Sequence, residues 1–255
     1  MSDDTVRVEP RGQVLVITID RPEARNAVTP SVAQGIERGL DQLETDPDLR
    51  VGVITGSSGY FSAGMDLKAF AAGERSVTDR GGFAGITERT TSKVLIAAIE
   101  GFALAGGLEI ALACDLLVAA RDSTLGLPEV GVGLVAAAGG LVRLPGRIPL
   151  CVALEIAVTG KPIGADRAFA LGLVNRVTDP GGALDVALDL ARTIAANAPL
   201  AIDASKRAIY ASRDWRQDEE RALQHRMFTP ILDSADALEG ARAFAEKRAP
   251  VWRGR

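Results

Sequence analysis

Short apolar strands alternate with amphipathic helical stretches along this chain, which predicts an α/β body followed by a helical C-terminal lobe. Three observations carry that expectation. β-branched runs at 14–19 and 51–55 flank a helical stretch that starts at Thr29-Pro30. Gly106-Gly107 opens a second helical stretch between apolar runs at 94–99 and 116–119. From residue 183 onward strand patterning gives way almost wholly to helical spacing.

In chain order, 6–9 and 14–19 form a hairpin pattern around Arg11-Gly12-Gln13. Thr29-Pro30-Ser31 offers a helix start with Pro at the first helical position. That helix runs to residue 44, with Ile36, Leu40 and Leu43 on one face. The strand at 51–55 ends in the loop Gly56-Ser57-Ser58-Gly59. Residues 71–92 are small and polar, and are expected as part mobile loop and part short helix. A strand at 94–99, a helix at 106–113 and a strand at 116–119 follow. After Gly126-Leu127-Pro128 come glycine-rich turns, a helix at 150–158 and a strand at 173–177. Pro180-Gly181-Gly182 then breaks the chain, and the helices beyond it are expected to break near Pro199 and Pro230. The division expected is an α/β core over 1–195 and a helical region over 196–255.

With 255 residues the chain can bury roughly 70–75% of the surface its unfolded form exposes. Apolar residues make up 47% and charged residues 24%, which excludes intrinsic disorder. A net charge of −4 argues against a nucleic-acid binder or a partner for anionic membranes. Two cysteines, Cys114 and Cys151, are too few for a disulfide scaffold. The acidic start Met1-Ser2-Asp3-Asp4 lacks a signal-peptide pattern, and 94–120 is interrupted by Glu100, Glu109 and Asp115. The expectation is a cytoplasmic globular protein.

Several catalytic routes fall away. The single histidine, His225, sits in a charged helical stretch and reads as a surface residue. No GxSxG elbow, no phosphate-loop lysine and no metal-ligand spacing is present. The loose dinucleotide pattern at 131–136 follows Pro128-Glu129 instead of a strand, so it reads as a tight turn. Two glutamates remain. Glu109 lies in the first turn of an apolar helix, where it could simply complement the helix dipole. Glu129 follows a proline and could be a loop cap. Their apolar setting favours chemistry, because a buried carboxylate needs a partner or a raised pKa. Two loop-to-helix junctions, Gly106-Gly107 and Phe61-Ser62-Ala63-Gly64-Met65-Asp66-Leu67, could offer paired N–H groups as an oxyanion hole. Such a hole with two carboxylates needs no metal, and suits proton transfer beside a thioester through an enolate.

At these residues the sequence closely resembles the crotonase (enoyl-CoA hydratase/isomerase) superfamily. The ordered motifs are Arg21-Pro22 with Asn26-Ala27, Phe61 to Lys68, Ala105-Gly106-Gly107-Leu108-Glu109 and Cys114-Asp115. Pro128-Glu129, Gly139-Gly140, Arg143-Leu144-Pro145, Thr159-Gly160, Gly172-Leu173-Val174-Asn175 and the ending Phe244 to Pro250 complete the match. The resemblance implies a spiral of ββα units that binds acyl-CoA, with a C-terminal helical region that forms homotrimers or homohexamers. It implies oxyanion donors at the Met65 and Gly106 N–H groups, with Glu109 and Glu129 as the catalytic acids. Lys68, Phe244 and Lys247 are implied CoA contacts, the last two from a neighbouring subunit. Ala24 and Ala63 are implied on the adenine side, and Asp66 and Leu67 join them as substrate-side positions.

Retention of both glutamates favours hydration: water adds at C3 of a 2-enoyl thioester, activated by Glu109, while Glu129 carries the proton. No metal and no cofactor apart from the CoA of the substrate is expected. An isomerase, a specialised acyl-CoA dehydratase and a non-catalytic acyl-CoA binding protein are the alternatives. Two departures, Met65 where Ala is common and 134–138 where a Pro is common, bear on the acyl group.

Overall fold

A computed structural model describes residues 5–216 and 218–255. The acidic start at 1–4 lies outside them. β1 (Val6–Arg11) and β2 (Val14–Ile19) pair antiparallel across a turn in which Gly12 takes φ +63°. α1 (Pro30–Thr45) begins where the Thr29 hydroxyl accepts the Val32 N–H, and it buries Val32, Ile36, Leu40 and Leu43. β3 (Val51–Gly56), α2 (Leu67–Ala71) and the small hairpin β4 (Val77–Thr78) with β5 (Gly82–Phe83) follow. Next come β6 (Val94–Ile99), β7 (Phe102–Leu104), α3 (Gly106–Ala113), β8 (Leu116–Ala120) and β9 (Thr124–Gly126). The second half contains α4 (Gly140–Arg143), α5 (Leu150–Thr159), β10 (Ile163–Gly164), α6 (Ala165–Ala170) and β11 (Arg176–Thr178). Four helices close the chain: α7 (Ala183–Ala195), α8 (Pro199–Ala211), α9 (Glu220–Leu232) and α10 (Ala235–Glu246).

The main sheet runs β1-β2-β3-β6-β8-β11, parallel from β2 onward. A second sheet runs β10-β9-β7. The chain passes from a main-sheet strand to a second-sheet strand to a helix, as in β6-β7-α3, and the next main-sheet strand lies beside the last. That is the expected spiral of ββα units. Alternate residues of each main strand face opposite layers. Leu15, Ile17, Ile54, Leu95, Ala97 and Ile99 pack with α1 and α3. Val14, Val16, Val53, Ile96 and Val118 pack under α7 through Ala187, Leu188 and Ala191. Burial on both faces explains why these strands read as continuous apolar runs.

Two expectations need correction. No short helix forms within 72–92, because Gly82, Ala84 and Gly85 all take positive φ, which helical backbone excludes. The segment forms the β4–β5 hairpin and turns, tied to α1 by Arg80 and Arg89 on Asp41 at 2.6 and 2.7 Å. The strand expected at 173–177 begins only at Arg176. The Leu173 N–H closes α6 on Ala168, and the Asn175 amide docks on Leu117 before the ladder starts. The helices break near Pro199 and near Pro230, as expected, with Pro230 in the final turn of α9, two residues from its end.

The helical region is fastened to the body. Lys206 of α8 donates to Asp115 at 2.8 Å, to Thr91 at 3.0 Å and to the Lys93 carbonyl at 2.9 Å. At the C-terminus the Trp252 indole donates to the Ala196 carbonyl, and buried Asp236 accepts the Arg253 and Gly254 N–H groups.

Candidate active site

Two expected loop-to-helix junctions meet at the start of α3. Asn26, fully buried, donates through its amide nitrogen to the Ser57 and Tyr60 carbonyls and accepts the Arg21 N–H. Ser62 donates to the Asn26 carbonyl at 2.8 Å and accepts the Gly64 N–H at 3.1 Å. A bridge between Ser62 and Ala103 then lays this loop along β7. Gly64, at φ +89°, lets the two backbones close: a Cβ there would lie 2.7 Å from the Gly106 nitrogen and 2.9 Å from the Leu104 oxygen. A Cβ on Gly106 would lie 3.4 Å from the Met65 nitrogen. Among the described residues, neither the Met65 nor the Gly106 N–H donates to a protein acceptor. Two neighbouring free donors at a helix start suit a developing anion.

Glu109, one turn into α3, is 4% exposed, and Glu129, in the short 3-10 turn Glu129–Val132, is 9% exposed. Their environments differ. Glu109 Oε1 accepts the Ala138 N–H at 2.7 Å and the Gly140 N–H at 2.9 Å. Burial pushes its pKa up, while those two bonds and the Arg143 cation oppose the rise. Glu129 is pushed up chiefly by burial, with a further push from the Glu109 charge, and its Oε2 is buried with no protein donor. Burial thus raises both carboxyls, but only Glu109 has backbone donors from another segment and a cation to support its charge, while Glu129 has the hydrogen bond of its own N–H.

The remaining candidates are spread over several elements. Met65 is half-buried, and the Phe83 ring covers Gly106 so closely that a Cβ there would lie 2.6 Å from the ring edge. Asp66 caps α2 by accepting the Lys68 and Ala69 N–H groups and pairs with Arg21 at 3.2 Å, so its carboxylate is already engaged. Leu67 and Lys68 are exposed on α2, and Ala24 and Ala63 are half-buried in adjoining turns. Phe244 is 88% exposed on α10, and Lys247 caps that helix at φ +54°. His225 is exposed on α9, as expected. Among the described residues, no group of three or more His, Cys, Asp or Glu side chains is placed to hold a metal ion. Sequence reasoning missed Phe83 and the Arg143 contacts, and it gave Asn26 and Ser62 no role. The positive φ that Gly64 needs was the one local signal available.

A family model described as enoyl-CoA hydratase/isomerase matches residues 9–255. The chain belongs to the enoyl-CoA hydratase/isomerase family. Within it, a carnitinyl-CoA dehydratase from Salmonella typhi is 40% identical over 262 residues, covering 99% of each chain. The crystal structure of an enoyl-CoA hydratase from Mycobacterium tuberculosis H37Rv superposes with a TM-score of 0.97 at 53% identity, over 99% of this chain and all of that one. A carnitinyl-CoA hydratase from Mycobacterium avium superposes with a TM-score of 0.80 at 44% identity, over the whole of both chains. The fold is therefore the crotonase fold. Its spiral explains why motifs spread from Arg21 to Arg143 converge on one site.

Proposed function

We propose that this chain is an enoyl-CoA hydratase in which Glu109 activates water and Glu129 carries the proton exchanged at C2. The observation that carries this reading is the contrast between the two buried carboxylates beside a pair of free N–H donors. Hydration needs one group to take a proton from water and one to supply a proton to carbon, and the two environments differ in the support they give a charge. As water attacks C3, charge moves onto the thioester oxygen, where the Met65 and Gly106 N–H groups would receive it. Each such donor is worth roughly 10²–10³-fold in rate. Coenzyme A enters as part of the substrate, with Lys68, Ala24 and Ala63 on this chain and Phe244 and Lys247 of a neighbouring copy as its contacts.

The same groups running in reverse perform a dehydration, since the acid and base exchange roles. The carnitinyl-CoA dehydratase relatives favour that second reading for a specialised acyl group. Comparing crotonyl-CoA with carnitinyl-CoA by the change in enoyl absorbance separates them. Rapid loss of the crotonyl-CoA absorbance supports general hydration; turnover of carnitinyl-CoA alone assigns the specialised reaction. Binding of CoA without turnover of either would overturn both.

A further inference from the structure

We infer that Arg143 is a positioning residue for Glu109, its guanidinium fixing the 138–140 backbone whose N–H groups hold that carboxylate. One guanidinium nitrogen donates to the Ala138 carbonyl at 3.1 Å and the other to the Thr87 carbonyl. The residue that presents its carbonyl to Arg143 thus presents its N–H to Glu109. Gly139, at φ +98°, lies directly against the guanidinium, and any side chain there would occupy the arginine's place.

Thr87 is a firm anchor. It is 1% exposed, its neighbour Ile86 is equally buried, and Gly85 presses its backbone against the Ala33 carbonyl of α1. Arg143 therefore ties a loop that carries no regular hydrogen-bond ladder of its own to a turn wedged on the body of the fold. Only a planar fork spans two carbonyls in this way; a lysine supplies one point charge. β7, also packed on α3, has no ionisable side chain; among the described residues the charges that act on Glu109 are Arg143 from α4 and Glu129 from the 3-10 turn.

The inference rests on the proposed role of Glu109, and its test has one readout that does not. Arg143→Gln and Arg143→Lys are compared with wild type in crotonyl-CoA hydration. Arg143→Gln is expected to lower kcat at least ~10-fold, as misplacing a reacting group does, while KM stays within about threefold. Removing the cation favours protonated Glu109, so the acid limb of kcat/KM should move to higher pH. Arg143→Lys should keep the limb near its wild-type position and still lose kcat, and it carries the test if the Gln variant fails to fold. Wild-type kcat in both variants, or a loss of kcat that merely tracks thermal stability with an unmoved limb, would overturn the inference.

The independent readout is carboxyl titration by carbon NMR, with the Glu109 signal identified by its loss in Glu109→Gln. A Glu109 titration that moves upward in Arg143→Gln supports the inference even in a chain that hydrates nothing. An unmoved titration refutes it, whatever the activity.

Discussion

Glu129 places a carboxylate oxygen without a protein donor in a buried setting beside a second carboxylate. Glu129→Gln and Glu109→Gln should each lower kcat for crotonyl-CoA at least ~10²-fold, within the range of positioned acid/base groups. The double variant should lose less than the product of the single losses, because groups acting on one step are not additive. Steady-state kinetics at saturating substrate check both. Stability moves the other way. A carboxyl whose folded pKa is raised stabilises the fold below its unfolded value of about 4.3, and that contribution is lost as pH rises through the folded value. At neutral pH, well above the unfolded value, the raised carboxyl therefore costs stability. Glu129→Gln should melt no lower than wild type at pH 7, with any advantage gone below about pH 4. Thermal scans at the two pH values decide this. Gly64→Ala tests the close approach of the two loops. Its Cβ must displace the Gly106 nitrogen 2.7 Å away and accept φ +89°, so stability should fall by about 1–3 kcal/mol. Hydration should fall ~10²-fold or more through the displaced donor.

At the scale of elements, α8 is held to the spiral by a charge pair of low exposure. Lys206 and Asp115 have side chains only 12% and 13% exposed, and Asp115 also accepts the Tyr210 hydroxyl and the Leu95 N–H. Deleting one partner of such a pair leaves a charge without compensation, typically worth 3–5 kcal/mol. Lys206→Met should lower stability by about 3 kcal/mol in urea unfolding, since Asp115 keeps its other two donors. Its kcat should stay near wild type, because Asp115 braces the C-terminal end of α3 and the entry to β8, away from the Gly106 end. A loss of kcat without a loss of stability would show that α8 acts on the site more directly than this packing implies.

Across the whole molecule, large apolar side chains remain uncovered. Phe244, Val142, Leu232 and Leu150 are 88%, 82%, 73% and 71% exposed, on α10, α4, the end of α9 and α5. Faces of this kind favour closed symmetric assembly. A trimer or hexamer is the expected outcome, measured by light scattering at micromolar concentration. A single 26.7 kDa particle would refute it, and with it the assignment of Phe244 and Lys247 to a neighbour's CoA.

Much of this was legible from residue order alone. The strands 14–19, 51–55 and 94–99 are apolar on both faces because both faces are buried, and that pattern is local. Glu109 stood out because an acid in so apolar a helix has few structural uses, and Glu129 because it follows a proline in a similar setting. Where conformations depended on positive φ, as at Gly82, Ala84 and Gly85, composition misled: a helix was expected and turns formed. The strand at 176–178 was placed early because its preceding residues are apolar, yet they close α6. By itself, the sequence determined the fold class, the two carboxylates and the glycines at the helix start, since each depends on residue type and near neighbours. Only the tertiary structure decided which carboxylate has donors from a distant backbone, which keeps an unpaired oxygen, and which arginine ties the 138–140 backbone to Thr87. Those are contacts between segments tens of residues apart, and no local pattern encodes a distance across the spiral.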